Sequence, residues 1–470
     1  MKQDNKVKVF EEYSIGRAFI SLVTPTIISQ IIMIIYNYAD AWFLGLTKNE
    51  DAVAALAVVM PVFIIMNAIA SLFGIGGSSL IARCLGRKDP DKARASFAFS
   101  VWASVISAII YSLIIFIFAE PIIYLVGGTE ETYSYIYDYA MVTMIYGSIP
   151  TILNNVFGHL VRSVGGSTAA SIGMGLGGLL NIILDPIFMF VLLPKGSEII
   201  GAGLATMLSN VASCIFFIIY VLKNKNKVEV FTLNPKDVSF KYSIPKEILF
   251  IGFPAALSTA LAMLSNIVAN KLVIGAVEKS LQSAVVGGLG AAKRINTLAF
   301  NICMGITQGM LPFIAYNYAA NKAKRMNKGI VYMFAVAVGF SLVAITFFQI
   351  FTKELVEFFV PGQTNTIKYG VDFLHIIEAA VPLCSISFAT NTVFQATGKK
   401  IESFILSILR KGVLDMPLMY LLVKPFGELG VLWATPIAEI LGVIVALGLL
   451  IPFLIKNAKK NKKEVQIEAM

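Results

Sequence analysis

Apolar residues run through this chain in long continuous blocks separated by short polar stretches. The blocks fall at roughly 15–44, 54–82, 96–118, 134–157, 168–193, 200–222, 246–271, 281–308, 329–351, 370–395, 401–423 and 429–455. Each is long enough to cross a hydrocarbon layer ~30 Å thick as an α-helix. Several exceed the minimum length, which predicts tilted or bent helices. A membrane β-barrel would show short alternating segments instead. The expected fold class is therefore all-α: a polytopic membrane protein with twelve transmembrane helices.

Composition agrees with that pattern. Of the residues 57% are hydrophobic and 14% charged, against roughly 25% charged in an average soluble domain. A core of this kind could not cover itself in water. The net charge of +10 would suit a nucleic-acid binder, but the basic residues are placed by topology. Lys2, Lys6, Lys8 and Arg17 precede the first block; Arg83, Arg87, Lys88, Lys92 and Arg94 follow the second. Further basic stretches run from Lys223 to Lys246, Lys322 to Lys328 and Lys456 to Lys463. Alternate loops are nearly bare: 119–134 holds Glu120, Glu130 and Glu131 without a Lys or Arg, and the loops at Lys48, Lys195 and Lys424 hold one cation each. Basic loops stay inside, so both termini are expected in the cytoplasm, and no nucleic-acid partner is expected. The first block is too long, too polar in its second half and too poor in a small-residue cleavage site to be a signal peptide. Cys84, Cys214, Cys303 and Cys384 are isolated, which predicts packed free thiols.

Sliding the chain by about 230 residues reveals a repeat. The stretch ending in Pro25 matches the one ending in Pro254. Leu184-Asp185-Pro186 matches Leu414-Asp415-Met416-Pro417 with one insertion, and Ile200 to Thr206 matches Leu429 to Thr435. Arg162-Ser163-Val164-Gly165 faces Gln395-Ala396-Thr397-Gly398. Six spans per half is an even number, so the halves are expected to be parallel, two six-helix lobes related by a pseudo-twofold axis along the membrane normal. Transporters of this build place a solute path between the halves. The expected boundaries are 1–222 for the first lobe, 223–245 for a cytoplasmic hinge linker, 246–456 for the second lobe and 457–470 for a basic cytoplasmic tail.

Polar residues inside the blocks carry the candidate chemistry. Asp40 follows Asn37 by three residues and Tyr36 by four, so all three are expected on one helical face. A carboxylate at that depth costs several kcal/mol unless protonated, paired or ion-bound. Asn181 and Asp185 are four apart in the fifth span, and Thr206 and Asn210 repeat that spacing in the sixth. Three helices of one half thus offer oxygen ligands, which suit Na⁺, while a desolvated carboxylate suits H⁺. Other roles are open at the same positions. Asp185 precedes Pro186 and could cap freed backbone groups, Asp40 could lie at the extracellular mouth, and Thr206 and Asn210 could serve packing. In the second half, Lys293 and Arg294, His375 and Glu378, and Glu439 interrupt spans; Arg294 is expected to pair with Glu378, and Lys411 with Asp415.

Gly173, Gly175 and Gly178 spell GxGxxG, but without a preceding strand they predict close helix packing instead of dinucleotide binding. The chain has no GxxxxGK[ST] sequence, so no nucleotide partner is expected and energy must come from an ion gradient or another protein. Pro25, Pro61, Pro150, Pro254, Pro312 and Pro382 lie inside or at the edge of spans and can bend them.

Taken together, Pro25, Tyr36, Asn37, Asp40, Leu85-Gly86-Arg87-Lys88-Asp89, Asn181 to Pro186, Gly201 to Thr206 and Gln395-Ala396-Thr397-Gly398 make the chain resemble bacterial multidrug and toxic compound extrusion (MATE) exporters over nearly its whole length. The resemblance implies a cell inner-membrane antiporter that exports bulky, often cationic and aromatic drugs or toxins in exchange for Na⁺ or H⁺, with no other cofactor. It implies a cation site at Asp40, Asn181, Asp185 and Thr206. One branch of that family carries an acid in the seventh span, whereas this chain reads Ser265-Asn266-Ile267-Val268. Pro25 is the expected hinge, and Met33, Tyr36, Asn37, Asn154 and Met174 are the expected drug contacts, since adaptable Met and aromatic surfaces suit a polyspecific pocket. A second function keeps the architecture and changes the cargo, a lipid-linked oligosaccharide flippase, which would call for a strongly cationic cavity; a different class, a passive channel, would conduct without ion coupling. The sequence carries no sign of oligomeric state.

Overall fold

A computed structural model describes residues 7–47 and 50–468. Lys2, Lys6 and Lys48, used above for topology, lie outside the described residues. Within them the protein is all helix. Nine of its spans are single long helices: Ile15–Leu46, Val58–Gly86, Pro90–Ile117, Ser167–Leu192, Glu198–Asn224, Ile244–Gly275, Gln282–Ala319, Ala323–Ile350 and Thr364–Thr397. The fourth span is a pair, Glu130–Tyr146 and Ser148–Ser163, bent by 52°. Pro150 causes that bend locally, because it has no N–H for the Tyr146 carbonyl four residues back. A π-helical turn at Met141–Tyr146 precedes it. The last helical stretch, Lys400–Ala458, has 59 residues, which at 1.5 Å per residue would be almost three hydrocarbon layers long. Gly427 breaks it, with φ 59° and ψ −142°, into the eleventh and twelfth spans, so twelve spans result.

The third span shows how sequence makes such a helix. Asp89 caps it by accepting from the Lys92 amide at 3.0 Å, and Pro90 follows at the first helical position, where its missing N–H costs nothing. Ile106, Ile110, Leu113 and Ile117 form an exposed stripe suited to lipid. On the opposite face Phe97, Val101, Ser104, Ala108, Tyr111 and Ile115 are buried. Lipid tails are as apolar as these side chains, so the buried face gains from close fit and hydrogen bonds instead of from burial alone. Tyr111 accordingly donates to the Val62 carbonyl at 3.0 Å, and Ser104 to that of Val101 at 2.7 Å.

Two compact units result. The first comprises Met1–Glu12 and Ile28–Thr259, the second Tyr13–Ile27 and Ala260–Met470. The boundaries therefore differ from those expected. The first helix is divided between Ile27 and Ile28, just past Pro25, and the first half of the seventh helix belongs to the first unit. Segment 223–245 is not a free linker but packs into the first unit. Val228, Val230 and Phe231 are buried, Phe231 packs on Phe97 with centroids 5.6 Å apart, and Arg94 bridges to Asp237 at 2.9 Å. The expected basic tail is no separate segment either, since the last helix runs on to Glu468. All four cysteines are free and buried, and Gly173 and Gly177 let the fifth helix approach Phe217 and Ser213 of the sixth, where a Cβ would meet their side chains at 2.4 Å.

Candidate cation site in the first unit

The fifth helix (Ser167–Ile187) presents Asn181 and Asp185 one turn apart on its buried face; the pair is 2% and 0% exposed. The helix gives way to a π-helical turn at Phe188–Leu192 just after Pro186, a departure from regular winding that often marks functional positions. Asn181 donates through Nδ2 to Asp185 Oδ1 at 3.2 Å and to Thr206 Oγ1 of the sixth helix at 3.3 Å. Asn210 donates to the Thr206 carbonyl at 2.9 Å and accepts from Asn154 Nδ2, also at 2.9 Å. Asp40, from the first helix, lies near enough to Asp185 for their charges to interact, and Tyr36 and Tyr139 lie within reach of both. The Tyr36 ring packs over Gly178, where a Cβ would be 3.2 Å away.

The bonding leaves a specific deficit. Asp40 Oδ1, Asn181 Oδ1 and Asp185 Oδ2 are all buried without a hydrogen-bond partner. Buried polar atoms are almost always satisfied, and a membrane interior raises the cost of leaving one bare. No salt bridge to Asp40 or Asp185 is found among the described residues. The Asn181 amide holds Asp185 and Thr206 in place, and the three bare atoms are all hard oxygens, the donor type that suits a monovalent cation or, at the carboxylates, a proton. Asp185 accepts from Asn181 at Oδ1, and no backbone N–H donating to its carboxylate is found among the described residues.

Other expected residues fall in different places. Asn37 is exposed, its amide donating to the Met33 carbonyl at 2.7 Å. Asn154 is tied into the cluster through Asn210, and Met174 Sδ accepts from Arg162 Nη2 at 3.1 Å. Arg294 and Glu378 do not form the expected hydrogen-bonded pair. Arg294 is exposed, both carboxylate oxygens of the fully buried Glu378 lack a hydrogen-bond partner, and its basic neighbour is His375, with Nδ1 at 3.6 Å. Glu378 and His375 are three apart on one helix, a proximity that no cross-helix pairing needs. The Lys411–Asp415 pair is present at 2.8 Å. Tyr139 went unnoticed in the sequence, because a tyrosine at the end of a polar stretch carries no depth signal; only the neighbouring helices bring it to Thr206.

The pattern of the MatE family matches residues 25–187 and 254–421. Over 467 residues the chain is 29% identical to the multidrug export protein MepA of Staphylococcus haemolyticus (strain JCSC1435), with 99% of each chain covered. It is 29% identical to that of Staphylococcus aureus (strain N315) over 455 residues, with 97% of each covered. Its fold matches the outward-facing conformation of a multidrug resistance MATE family transporter of the MOP superfamily with TM-score 0.89, covering 98% of this chain and 100% of that one at 24% identity.

Proposed function

Because this chain belongs to the MatE family, we propose that it is a cation-coupled antiporter of the cell inner membrane, exporting drugs or toxic compounds, often cationic or aromatic, by alternating access. The coupling ion is H⁺ or Na⁺. The observation that carries the reading is the trio of bare buried oxygens on Asp40, Asn181 and Asp185. Relatives named as multidrug export proteins support the cargo class. Both termini and the basic loops face the cytoplasm.

In the outward-open state an ion joins Asp40 and Asp185, neutralises their repulsion, draws the first helix toward the fifth about Pro25 and so weakens the hold on the drug. Inward opening then releases the ion. Such a cycle works only if the ion prefers one state over the other. Met33, Tyr36 and Met174 supply adaptable apolar contacts to the drug, and Asn154 a polar one.

The test is efflux of a fluorescent aromatic cation from proteoliposomes under separately imposed Na⁺ and proton gradients. One gradient should accelerate export. The substitution Asp40→Asn should reduce that acceleration about tenfold or more, equivalent to ~1.4 kcal/mol of lost differential affinity. Full gradient-driven transport by that variant would overturn the proposal.

A further inference from the structure

The repeat brings a second copy of the same helices into the second unit. At the offset of about 230 residues, Asn181, Asp185 and Thr206 fall on Lys411, Asp415 and Thr435. The first and seventh helices, Ile15–Leu46 and Ile244–Gly275, are both 32 residues long with a proline at the same position, Pro25 and Pro254. Aligned end to end, they place Ser265 where Tyr36 stands and Ala269 where Asp40 stands. The second copy has thus lost one carboxylate and gained one ammonium.

Its bonding is the converse of the first. Asp415 is fully buried, yet both its oxygens are satisfied. Oδ2 accepts from Ser265 Oγ at 2.7 Å and Lys411 Nζ at 2.8 Å, and Oδ1 accepts from Thr435 Oγ1 at 2.9 Å. Lys411 and Asp415 lie in a π-helical turn, Leu409–Asp415. Such a turn winds in an additional residue, and the one-residue insertion of the repeat, Met416, follows directly after it. Nearby charges are accounted for: Arg410 bonds Glu439 at 2.9 Å, and Lys293 bonds the Asn270 carboxamide at 2.7 Å.

We infer that Asp415, Ser265 and Thr435 are a second monovalent-cation site in which the Lys411 ammonium serves as a permanently tethered cation. The inference rests on reading the first-unit cluster as a cation site. A carboxylate at this depth must be neutralised, and an ion from solution or a charge on the same helix can each do it. Only the solution ion can enter and leave, so exchange is confined to the first unit while the second keeps a fixed, ion-filled geometry.

The experiment follows the melting temperature of the purified full chain in detergent during titration with NaCl or methylammonium chloride, at ionic strength held constant with choline chloride. Lys411→Asn restores the Asn-Asp-Thr set of the first unit. It should melt below wild type in choline and recover by several degrees, saturably, with one of the small cations. Lys411→Asn/Asp415→Asn should lose the response, and Lys293→Asn/Lys411→Asn should keep it, since the neighbouring ammonium of Lys293 is then unable to substitute. If Lys411→Asn is extracted folded only with Na⁺ or methylammonium present, the inference is supported. Equal recovery in choline alone, or no added response in either lysine variant, would overturn it. Running the titration on Asp40→Asn/Lys411→Asn keeps the two readings apart: the added response should persist there, whatever transport shows about the first-unit site.

Discussion

Gly252 and Gly76 occupy positions that tolerate no side chain. A Cβ at Gly252 would lie 1.8 Å from the Leu72 carbonyl oxygen, and one at Gly76 would lie 2.3 Å from that of Ile248. Backbone here meets backbone, so no rotamer change can relieve the clash; the helices would have to separate. In a membrane, where association depends on close fit more than on expulsion of water, such contacts hold neighbouring helices together. Gly252→Ala should therefore lower stability by about 1–3 kcal/mol or more, the range for overpacking a well-filled interior. Gly339→Ala is the matched control, since nothing lies within 4 Å of its Cβ position; it should be neutral or gain up to ~1 kcal/mol from helix propensity. Thermal melts of both variants in detergent check the contrast. The glycines themselves are visible in the sequence, but Gly252 and Gly339 look alike there. Only the neighbouring helix distinguishes a forbidden Cβ from a harmless one.

Helices and their connections carry two further consequences. Gly427 has φ 59° and ψ −142°, a conformation essentially restricted to glycine. Gly427→Ala should cost about 1–3 kcal/mol, although no atom lies within 4 Å of the added methyl. A fall in melting temperature there, against little change for Gly448→Ala in the middle of the twelfth span, separates backbone strain from crowding. Segment 223–245 is held by chemistry of a different kind. Burial pushes the Asp237 carboxyl up, but hydrogen bonds from Thr232 and Arg94, with the Arg94 charge, outweigh it and hold the group below the ordinary carboxylate range. A depressed folded value means that the docking is favoured above pH ~4, the ordinary aspartate value, and is lost as the pH falls through the lower folded value. Trp102 reports on it, because its indole N–H donates to the Leu233 carbonyl at 3.3 Å. With Trp42 and Trp433 replaced by Phe, Trp102 emission should hold steady through neutral pH and shift only in strong acid. Asp237→Asn should show the shifted emission already at neutral pH, with no acid transition. A wild-type shift near neutrality would contradict the assignment. The sequence marks this segment as polar and lysine-rich, the usual signs of a flexible linker. Its buried Val228, Val230 and Phe231 are too few and too scattered to declare a docking face in advance.

For the molecule as a whole, the period of the hydrophobic blocks made most of the architecture legible, since twenty apolar residues have few ways to satisfy their backbone in lipid except as a helix. The cation cluster was legible in part. Four-residue spacing put Asn181 with Asp185 and Thr206 with Asn210, but nothing in one dimension joins the fifth helix to the sixth; the Asn181–Thr206 hydrogen bond at 3.3 Å does. Arg294 and Glu378 failed for the same reason, as opposite charge says nothing about which helix faces point together. The chain's own cysteines suit it to a labelling test of topology. Charge asymmetry predicts the Lys-rich stretch after the sixth span inside and the acidic 119–134 loop outside. The four native cysteines are buried, so they should react little with a maleimide that cannot cross the membrane, and each introduced cysteine reports its own position. Lys225 and Glu131 are both exposed on the protein surface. In intact cells Glu131→Cys should label at once and Lys225→Cys only after the membrane is permeabilised. The reverse pattern would invert every loop together, because six spans in each half tie the two ends of the chain to the same side.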